Sequence, residues 1–395
     1  MHVLRRCPVC ECSQAALLHT IHYPAEENRI LPTEYRIVSC SSCGMVFDDF
    51  DADASTFARY YHSAEKYALK NIAGSGGESE EDKKRFQKIA DRIVPFIKDK
   101  NSHIADIGSG RGELLHELNQ RGYRNLSAVD SSKKCIAAMK NNTNWKTVHC
   151  ALEELEGKLL CDFIICSQLF EHLFSPAAAL QILSKILTPS GMLFIEVPNA
   201  RCYEKYLYKP YHYFDGEHIN HFSVEYLKRI LHANGFKVLL FGETENKLLF
   251  DIVYPDCYAL ARKTTEPVPV MDAPSTDYTE KIMLYLEKSA KLSSLQQTLI
   301  QSQNPARRYF LWGLGAYGLK LLNSGLFDSW NIAGLIDIDQ SKQGKIIRGH
   351  TVYTPSILKK PENRTACVCI LSAIYEEQIR RQLQEMGFSG DVNRI

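Results

Sequence analysis

No run of uncharged apolar residues in this chain approaches the ~20 needed to cross a bilayer, and the opening MHVLRRCPVC has no apolar signal region. A membrane partner is therefore not expected, and the chain is read as cytoplasmic. Excess charge is lacking too. Lys and Arg number 47 against 46 Asp and Glu, with no basic tract, so a nucleic-acid partner is not indicated. Short-period repeats and low-complexity tracts are also missing, which leaves ordinary globular domains. At 395 residues, two or three of them are expected, each able to bury a core. Cysteine, by contrast, is plentiful at 13. The odd count, the chain length and runs such as CDFIIC and ACVCIL argue against a disulfide scaffold and for small buried residues in a reducing compartment.

Four of those cysteines have a different pattern. Cys7 and Cys10 form one Cys-x-x-Cys pair, and Cys40 and Cys43 in CSSCGMVF form another. Four thiolates at that short-long-short spacing can close a tetrahedron around one zinc ion, which predicts a zinc-binding domain over residues 1–70. A full set of four sulfur ligands leaves no open position, so this zinc is expected to be structural. Cys12 is a spare.

Over residues 80–262, short apolar strands alternate with helix-like stretches, the signature of a parallel sheet covered on both faces. A strand and its turn are expected at IADIGSGRG (104–112), and strands at LSAVD (126–130), CDFIICSQ (161–168) and GMLFIEVPN (191–199), preceded by an amphipathic helix over EEDKKRFQKIADRIVPFI. GSGG at 74–77 reads as a flexible break, and the Pro- and Thr-rich TTEPVPVMDAPSTD as a linker into a helix, together 263–302. Residues 303–395 then repeat the strand, glycine turn and helix in RRYFLWGLGAYGLKLL, with IAGLIDID ending near Asp337.

Each of these α/β units has a glycine turn. In the first, Asp106, Gly108, Gly110 and Gly112 end the opening strand, and Asp130 ends the next about 20 residues on. Glycines admit a ligand to the backbone, helix N–H groups suit a carboxylate, and Asp130 can accept two ribose hydroxyls. The pattern alone fits a nicotinamide dinucleotide equally well. The longer series IADIGSGRG, AVD, CDFIICSQLFEHLFSP and GMLFIEVPN resembles the class I S-adenosylmethionine methyltransferases. That resemblance implies a Rossmann-like α/β core in which Asp106, Gly108, Ser109, Gly110, Asp130, Ser131 and Gln168 bind S-adenosylmethionine. The second turn, Gly313-Leu-Gly315-Ala-Tyr-Gly318 with Asp337, has the dinucleotide spacing. No catalytic set accompanies it, and it reads as a Rossmann-like domain that keeps the turn for packing.

FDGEHINHFS at 214–223 raises a separate question. A metal held by Glu217, His218 and His221 is disfavoured, because adjacent residues point different ways and methyl transfer from a sulfonium needs no Lewis acid. Transfer to carbon does need removal of a proton α to a carbonyl, work suited to a histidine oriented by a carboxylate.

Taken whole, the order of a zinc module, a methyltransferase core and a C-terminal Rossmann-like unit resembles the sugar C-methyltransferases of deoxysugar biosynthesis. The resemblance implies a nucleotide-linked keto sugar as substrate, held in part by the C-terminal unit. It makes His218 the base, Glu217 its positioning partner, and His172 either a second polar group near the sugar or a helix-start packing residue. His221 is expected to fill a turn. Tyr60 or Tyr61 is expected to close over the substrate, and Tyr213 to bind it. Where the family has a tyrosine two residues before the glutamate, this chain has Asp215. Two other readings stay open: methyl transfer to oxygen or nitrogen of a small metabolite, and a non-catalytic nucleotide-binding or NAD-dependent protein.

Overall fold

Helix and strand boundaries follow the apolar periodicity closely in the computed structural model, which describes residues 1–23, 30–63, 79–139, 145–247, 252–266, 277–372 and 374–395. The GSGG break and most of the Pro- and Thr-rich linker lie outside the described residues. The chain divides into two compact units, one formed by Met1–Ile21, Ile30–Tyr206 and Tyr213–Leu286, the other chiefly by Glu287–Ile395. By this division the cysteine-bearing segment and the first α/β core form one body.

The cysteine-bearing sheet consists of β1 (Ala15–His22), β2 (Glu34–Cys40) and β3 (Val46–Asp49). Its fourth strand comes from far along the chain. β9 (Asn220–His221) pairs antiparallel with β3, placing His221 opposite Val46 and Asn220 opposite Phe47. The expectation of a turn at His221 is therefore corrected, because this residue is in a strand, fully buried.

The larger sheet is built from β4 (Ile104–Ile107), β5 (Leu126–Asp130), β6 (Lys146–His149), β7 (Cys161–Ser167), β8 (Leu187–Pro198), β10 (Phe236–Lys247) and β11 (Val253–Lys263). Their spatial order is β10-β11-β8-β7-β4-β5-β6. The strands from β4 to β8 pair parallel, as expected. A sheet parallel throughout is not what forms, since β11 runs antiparallel to β8 and β10 antiparallel to β11. The reason lies in β10, FKVLLFGETENK. Its alternate residues are exposed, the pattern of a half-wet edge strand in a hairpin that needs no helical crossover.

The lead-in helix Glu80–Ile93 is capped by Ser79, whose Oγ accepts the Asp82 amide at 3.0 Å, and gives way at Pro95 to a short 3-10 turn. Its buried face, Phe86, Ile89, Ala90 and Ile93, joins Leu115 and Leu118 of the helix Glu113–Gln120 and Phe163 and Phe194 of the sheet in one core. Each large side chain so buried contributes roughly 1.5–3 kcal/mol.

The second unit has the strands β12 (Arg308–Trp312), β13 (Asn331–Ile336), β14 (Ile346–Ile347), β15 (His350–Tyr353), β16 (Cys367–Ile370) and β17 (Val392–Arg394), ordered β14-β15-β13-β12-β16-β17. Alternation along β12 sends Tyr309 and Leu311 into one core and Phe310 and Trp312 into another, so both faces are covered. The cysteines of ACVCIL, Cys367 and Cys369, are buried there as small apolar residues. The 25-residue helix Asp277–Gln301 realises the helix expected after the linker. Among the described residues no helix is long and apolar enough to cross a membrane.

Candidate active site

The first glycine turn leaves β4 through three left-handed glycines, Gly108, Gly110 and Gly112, at φ 76°, 54° and 82°. Gly108 and Ser109 donate their amides to the Val129 carbonyl at 2.9 and 3.0 Å, which locks the turn to the end of β5. Asp130 completes the lock. Its Oδ2 accepts the Gly110 amide at 2.9 Å and its Oδ1 the Ser132 amide at 2.7 Å. Ser131, between them, accepts at its carbonyl from His149 Nε2 at 3.1 Å.

Behind the turn, Asp106 is pushed up to about 7, first by burial and then by the charge of Asp130. Two features fit an S-adenosylmethionine ligand here. The buried Ser109 Oγ has no hydrogen-bond partner among the described residues. A side chain at Gly110 would meet nothing within 4 Å, so the backbone there is open to approach. Gln168, at φ 54° past the end of β7, has its amide Nε2 donating to Asp256 Oδ1 at 2.9 Å.

The turn after β7 packs on the glycine turn, with Leu169 filling the space beside Gly108, and it carries Glu171 and His172. Opposite stands the 215–218 loop. Asp215 shapes that loop, its Oδ1 accepting the amides of Glu217 at 3.0 Å and His218 at 3.2 Å, while Gly216 takes φ 85°. Asp215, which has no phenol to offer, thus acts as a local cap. Phenols arrive from the helix Ala54–Ser63 instead. Tyr60 donates to Glu217 Oε1 at 2.6 Å, and the Tyr61 hydroxyl stands 3.0 Å from His172 Nδ1 and donates to the Glu217 carbonyl at 3.2 Å. His172 Nδ1 is 3.0 Å from the same carbonyl.

The rings of His172 and His218 meet edge to face, 4.7 Å between centroids, and the Tyr254 hydroxyl lies 3.5 Å from His218 Nδ1. Burial, followed by the neighbouring His218, lowers His172 to about 3, so its imidazole is neutral. Tyr213 is not in this corner's open part. It is fully buried and stacks on Tyr203 at 3.7 Å and 5°, with Tyr285 against it, which gives it a packing role. His221 is likewise structural, its Nε2 3.1 Å from Asp48 Oδ1.

Three groups escaped the reading of the sequence. Glu196 of β8, 0% exposed, receives Arg85 at 3.0 Å and Arg92 at 3.3 Å, both from the lead-in helix. Beside it, Asp256 accepts from Gln168 and from Asn246, the latter at 2.6 Å. The available signal was an acid inside the apolar run MLFIEVP. Glu171 is the second group, buried and raised well above the usual carboxylate range by desolvation. The third is Arg5. Buried two residues before Cys7, it donates to the carbonyls of Phe174 at 3.1 Å and Ile219 at 3.0 Å, and also engages the side chain of Asn220. It therefore ties together the two segments that carry His172 and His218.

The four paired cysteines converge. Cys7 and Cys43 are 3.5 Å apart at sulfur, Cys10 and Cys40 likewise, and the four sulfurs lie within 4.8 Å of one another. Sulfurs around a tetrahedral zinc at ~2.3 Å would stand about 3.8 Å apart. The donor set fits that ion without backbone rearrangement. The cluster is also tied to the helix Val224–Ala233, whose Tyr226 donates to the Cys43 carbonyl at 2.9 Å.

Comparison with known proteins agrees with this geometry. Residues 81–240 match a family described as methyltransferase domain, and residues 306–392 match one described as C2185-like, N-terminal. A ubiquinone biosynthesis O-methyltransferase of Rickettsia akari (strain Hartford) is 31% identical over 125 residues, 29% of this chain and 48% of that protein. A ribosomal RNA small subunit methyltransferase G of Rickettsia bellii (strain OSU 85-389) is 30% identical over 127 residues, 30% of this chain and 64% of that protein. The chain thus spans about half the length of the ubiquinone relatives it matches. Magnesium protoporphyrin IX methyltransferase from Synechocystis PCC 6803 with bound S-adenosylhomocysteine superposes with a TM-score of 0.42 at 16% identity, covering 54% of this chain and 100% of that one. With the glycine turn, its acid and the matched family in agreement, residues 81–240 are a class I S-adenosylmethionine-dependent methyltransferase domain.

Proposed function

We propose that this protein transfers a methyl group from S-adenosylmethionine to the carbon α to the ketone of a nucleotide-linked keto sugar. The observation that carries the reading is the convergence of His218 and His172 with Tyr60, Tyr61 and Glu217 in the corner that packs on the glycine turn. S-adenosylmethionine supplies an electrophilic methyl carbon. His218 takes the α proton, and the electron pair of that C–H bond becomes the nucleophile that forms the new C–CH3 bond as the S–CH3 bond breaks. Glu217 serves as positioning partner, because its carboxylate holds Tyr60 and its carbonyl holds Tyr61 and His172. Tyr61 can turn its hydroxyl from the Glu217 carbonyl to the developing enolate oxygen, and His172, its one proton on that carbonyl, packs edge to face on the His218 ring and orients it. Asp106, Gly108, Ser109, Gly110, Asp130 and Ser131 hold the cofactor, and Gln168 supports that pocket through Asp256. Cys7, Cys10, Cys40 and Cys43 hold a structural zinc that steadies β3 and, through it, β9 just after His218.

A second reading, methylation of a hydroxyl oxygen with His218 as its base, is favoured by the O-methyltransferases among the relatives. One substitution separates the two. Deuterium α to the ketone should wash out into water in the wild type and stay in His218→Asn, with turnover falling roughly 10²-fold or more. Exchange at the wild-type rate in the variant would overturn the base assignment. A product whose methyl carries an O–CH3 shift by NMR would replace the carbon reading by the oxygen one.

A further inference from the structure

Glu171, His172 and His218 each offer one ligand atom, and those three atoms lie within 4.8 Å of one another. Ligands on a tetrahedral zinc or cobalt ion at ~2.0–2.1 Å stand about 3.4 Å apart. Glu171 Oε1 and His172 Nε2 are already at 3.7 Å, so small side-chain rotations close the set. A separate observation points to a cation. Glu171 is 1% exposed, and neither of its carboxylate oxygens has a hydrogen-bond partner among the described residues. A buried carboxylate in that condition is stabilised by a positive charge in contact with it.

The surroundings of His172 complete the case. Its Nδ1 lies 3.0 Å from the Glu217 carbonyl, where a lone pair would be repelled and an N–H is held. Tyr61 donates to the same carbonyl, leaving its oxygen free to accept from that N–H as well. The proton is thus at Nδ1, and the Nε2 lone pair is on the side of Glu171. A histidine fixed by a carbonyl at one nitrogen is the common setting of a metal ligand at the other. Glu171 and His172 are also adjacent in the chain, but the short 3-10 turn Phe170–His172 that carries them brings their ligand atoms to 3.7 Å, which answers the objection raised for Glu217 and His218.

We propose that Glu171, His172 and His218 form a second metal site, which takes a divalent transition ion through two imidazole nitrogens and one carboxylate and leaves a position open to water. The site itself is independent of the reaction chemistry. Its consequence rests on the reading of His218 as the base: with the ion bound, the His218 lone pair is occupied, proton removal stops, and the ion inhibits.

The test uses the full chain loaded with zinc and then dialysed against cobalt(II). One cobalt equivalent beyond the metal of the cysteine cluster is expected, with weak visible bands and no thiolate charge-transfer absorption. Glu171→Gln and, separately, His218→Asn should each weaken it at least about tenfold. No further equivalent at roughly millimolar cobalt would overturn the site, and so would an equivalent that survives both substitutions. Should Glu171→Gln fail to fold, His218→Asn decides alone. The activity of the loaded protein separates the two readings. Inhibition supports both. Activation or an unchanged rate with cobalt bound keeps the site and removes His218 as base. Absence of the equivalent together with loss of deuterium exchange in His218→Asn removes the site and keeps the base.

Discussion

Two glycine turns of nearly the same spacing end two strands of this chain, and they are held in opposite ways. At the first, Asp130 is bound among the described residues by two backbone amides, from Gly110 and Ser132, and no ammonium meets it. At the second, Asp337 Oδ2 accepts the Leu314 amide at 2.9 Å and also the Lys342 ammonium at 3.3 Å, while Lys342 donates to the Leu314 carbonyl at 3.0 Å. A ribose arriving at Asp337 would compete with a lysine already in place. The last glycine of each turn is crowded and the middle one open, but the crowding differs in kind: a Cβ at Gly318 would stand 2.0 Å from the Gly313 carbonyl oxygen, which is backbone, whereas one at Gly112 would meet the Met139 side chain at 2.8 Å. A fingerprint of spacing therefore covers two devices, one open to a ligand and one that closes a helix against a strand.

The largest effect that sharpens this contrast is expected from Gly318→Ala. The clash is with backbone, which cannot swing away, so the second unit should lose more than ~3 kcal/mol of stability. Hydrogen exchange over 306–392 should rise while S-adenosylmethionine binding at the first turn persists. A variant of unchanged exchange would mean that the close approach is not needed there.

The acid behind the first turn offers a pH test. Asp106 is held at about 7 by burial and then by Asp130, against an ordinary carboxylate value of 3.8. Between those values the folded state binds a proton that the unfolded chain releases, so this group's contribution to stability falls as pH rises from about 4 to about 7, by at most ~1.4 kcal/mol per pH unit. His172 and His221, lowered to about 3 by burial, act with the opposite sign: the unfolded chain takes up protons there first, and stability falls with acid. The readout is therefore a difference. Asp106→Asn should be relatively more stable at pH 7 than at pH 5, compared with the wild type in denaturant melts. A difference constant across that range would remove the perturbed acid.

The features legible in the sequence were those written locally. Apolar runs marked β4, β5, β7 and β8 but not the short, half-exposed β6, two Cys-x-x-Cys pairs marked the cluster, and a glycine series with a downstream acid marked the cofactor turn. What was hidden depends on partners distant in the chain. Arg5 works on residues 169 and 214 positions away, and nothing around it in RRCPVC announces them. His221 looked like a turn residue because β9 is only two polar residues long, made a strand by β3. Tyr213 looked available to a substrate, and only the stacking on Tyr203 shows it buried. Glu171 was passed over because its distinguishing property, a buried carboxylate without a donor, exists only in three dimensions.

Asp130→Ala tests the ligand side of the contrast more directly. If Asp130 accepts ribose hydroxyls, its loss should weaken S-adenosylmethionine by ~1.5–3 kcal/mol, the usual worth of hydrogen bonds to a charged group. Asp337→Ala should leave that affinity unchanged in the same calorimetric titration. Equal losses from the two substitutions would break the comparison.

The smallest effect on stability, and the most selective, belongs to a pair of alanines. At Gly110, φ is 54° and a Cβ meets nothing, so Gly110→Ala costs only the left-handed backbone, about 1 kcal/mol. Its methyl group would nonetheless project into the space through which a ligand reaches the turn, and cofactor affinity should fall by more than stability does. Gly315 is the counterpart. It too has nothing within 4 Å of an added Cβ, but its φ is −68°, so alanine fits without strain and should alter stability by less than ~0.5 kcal/mol. If the second turn serves packing alone, Gly315→Ala has no further phenotype. Titration of wild type and both variants with S-adenosylhomocysteine and with NAD then separates the two turns: Gly110→Ala should lose the first ligand, and Gly315→Ala should change neither. NAD binding in the wild type that disappears in Gly315→Ala would make the second turn a ligand site despite Lys342, and the contrast between the two units would fall.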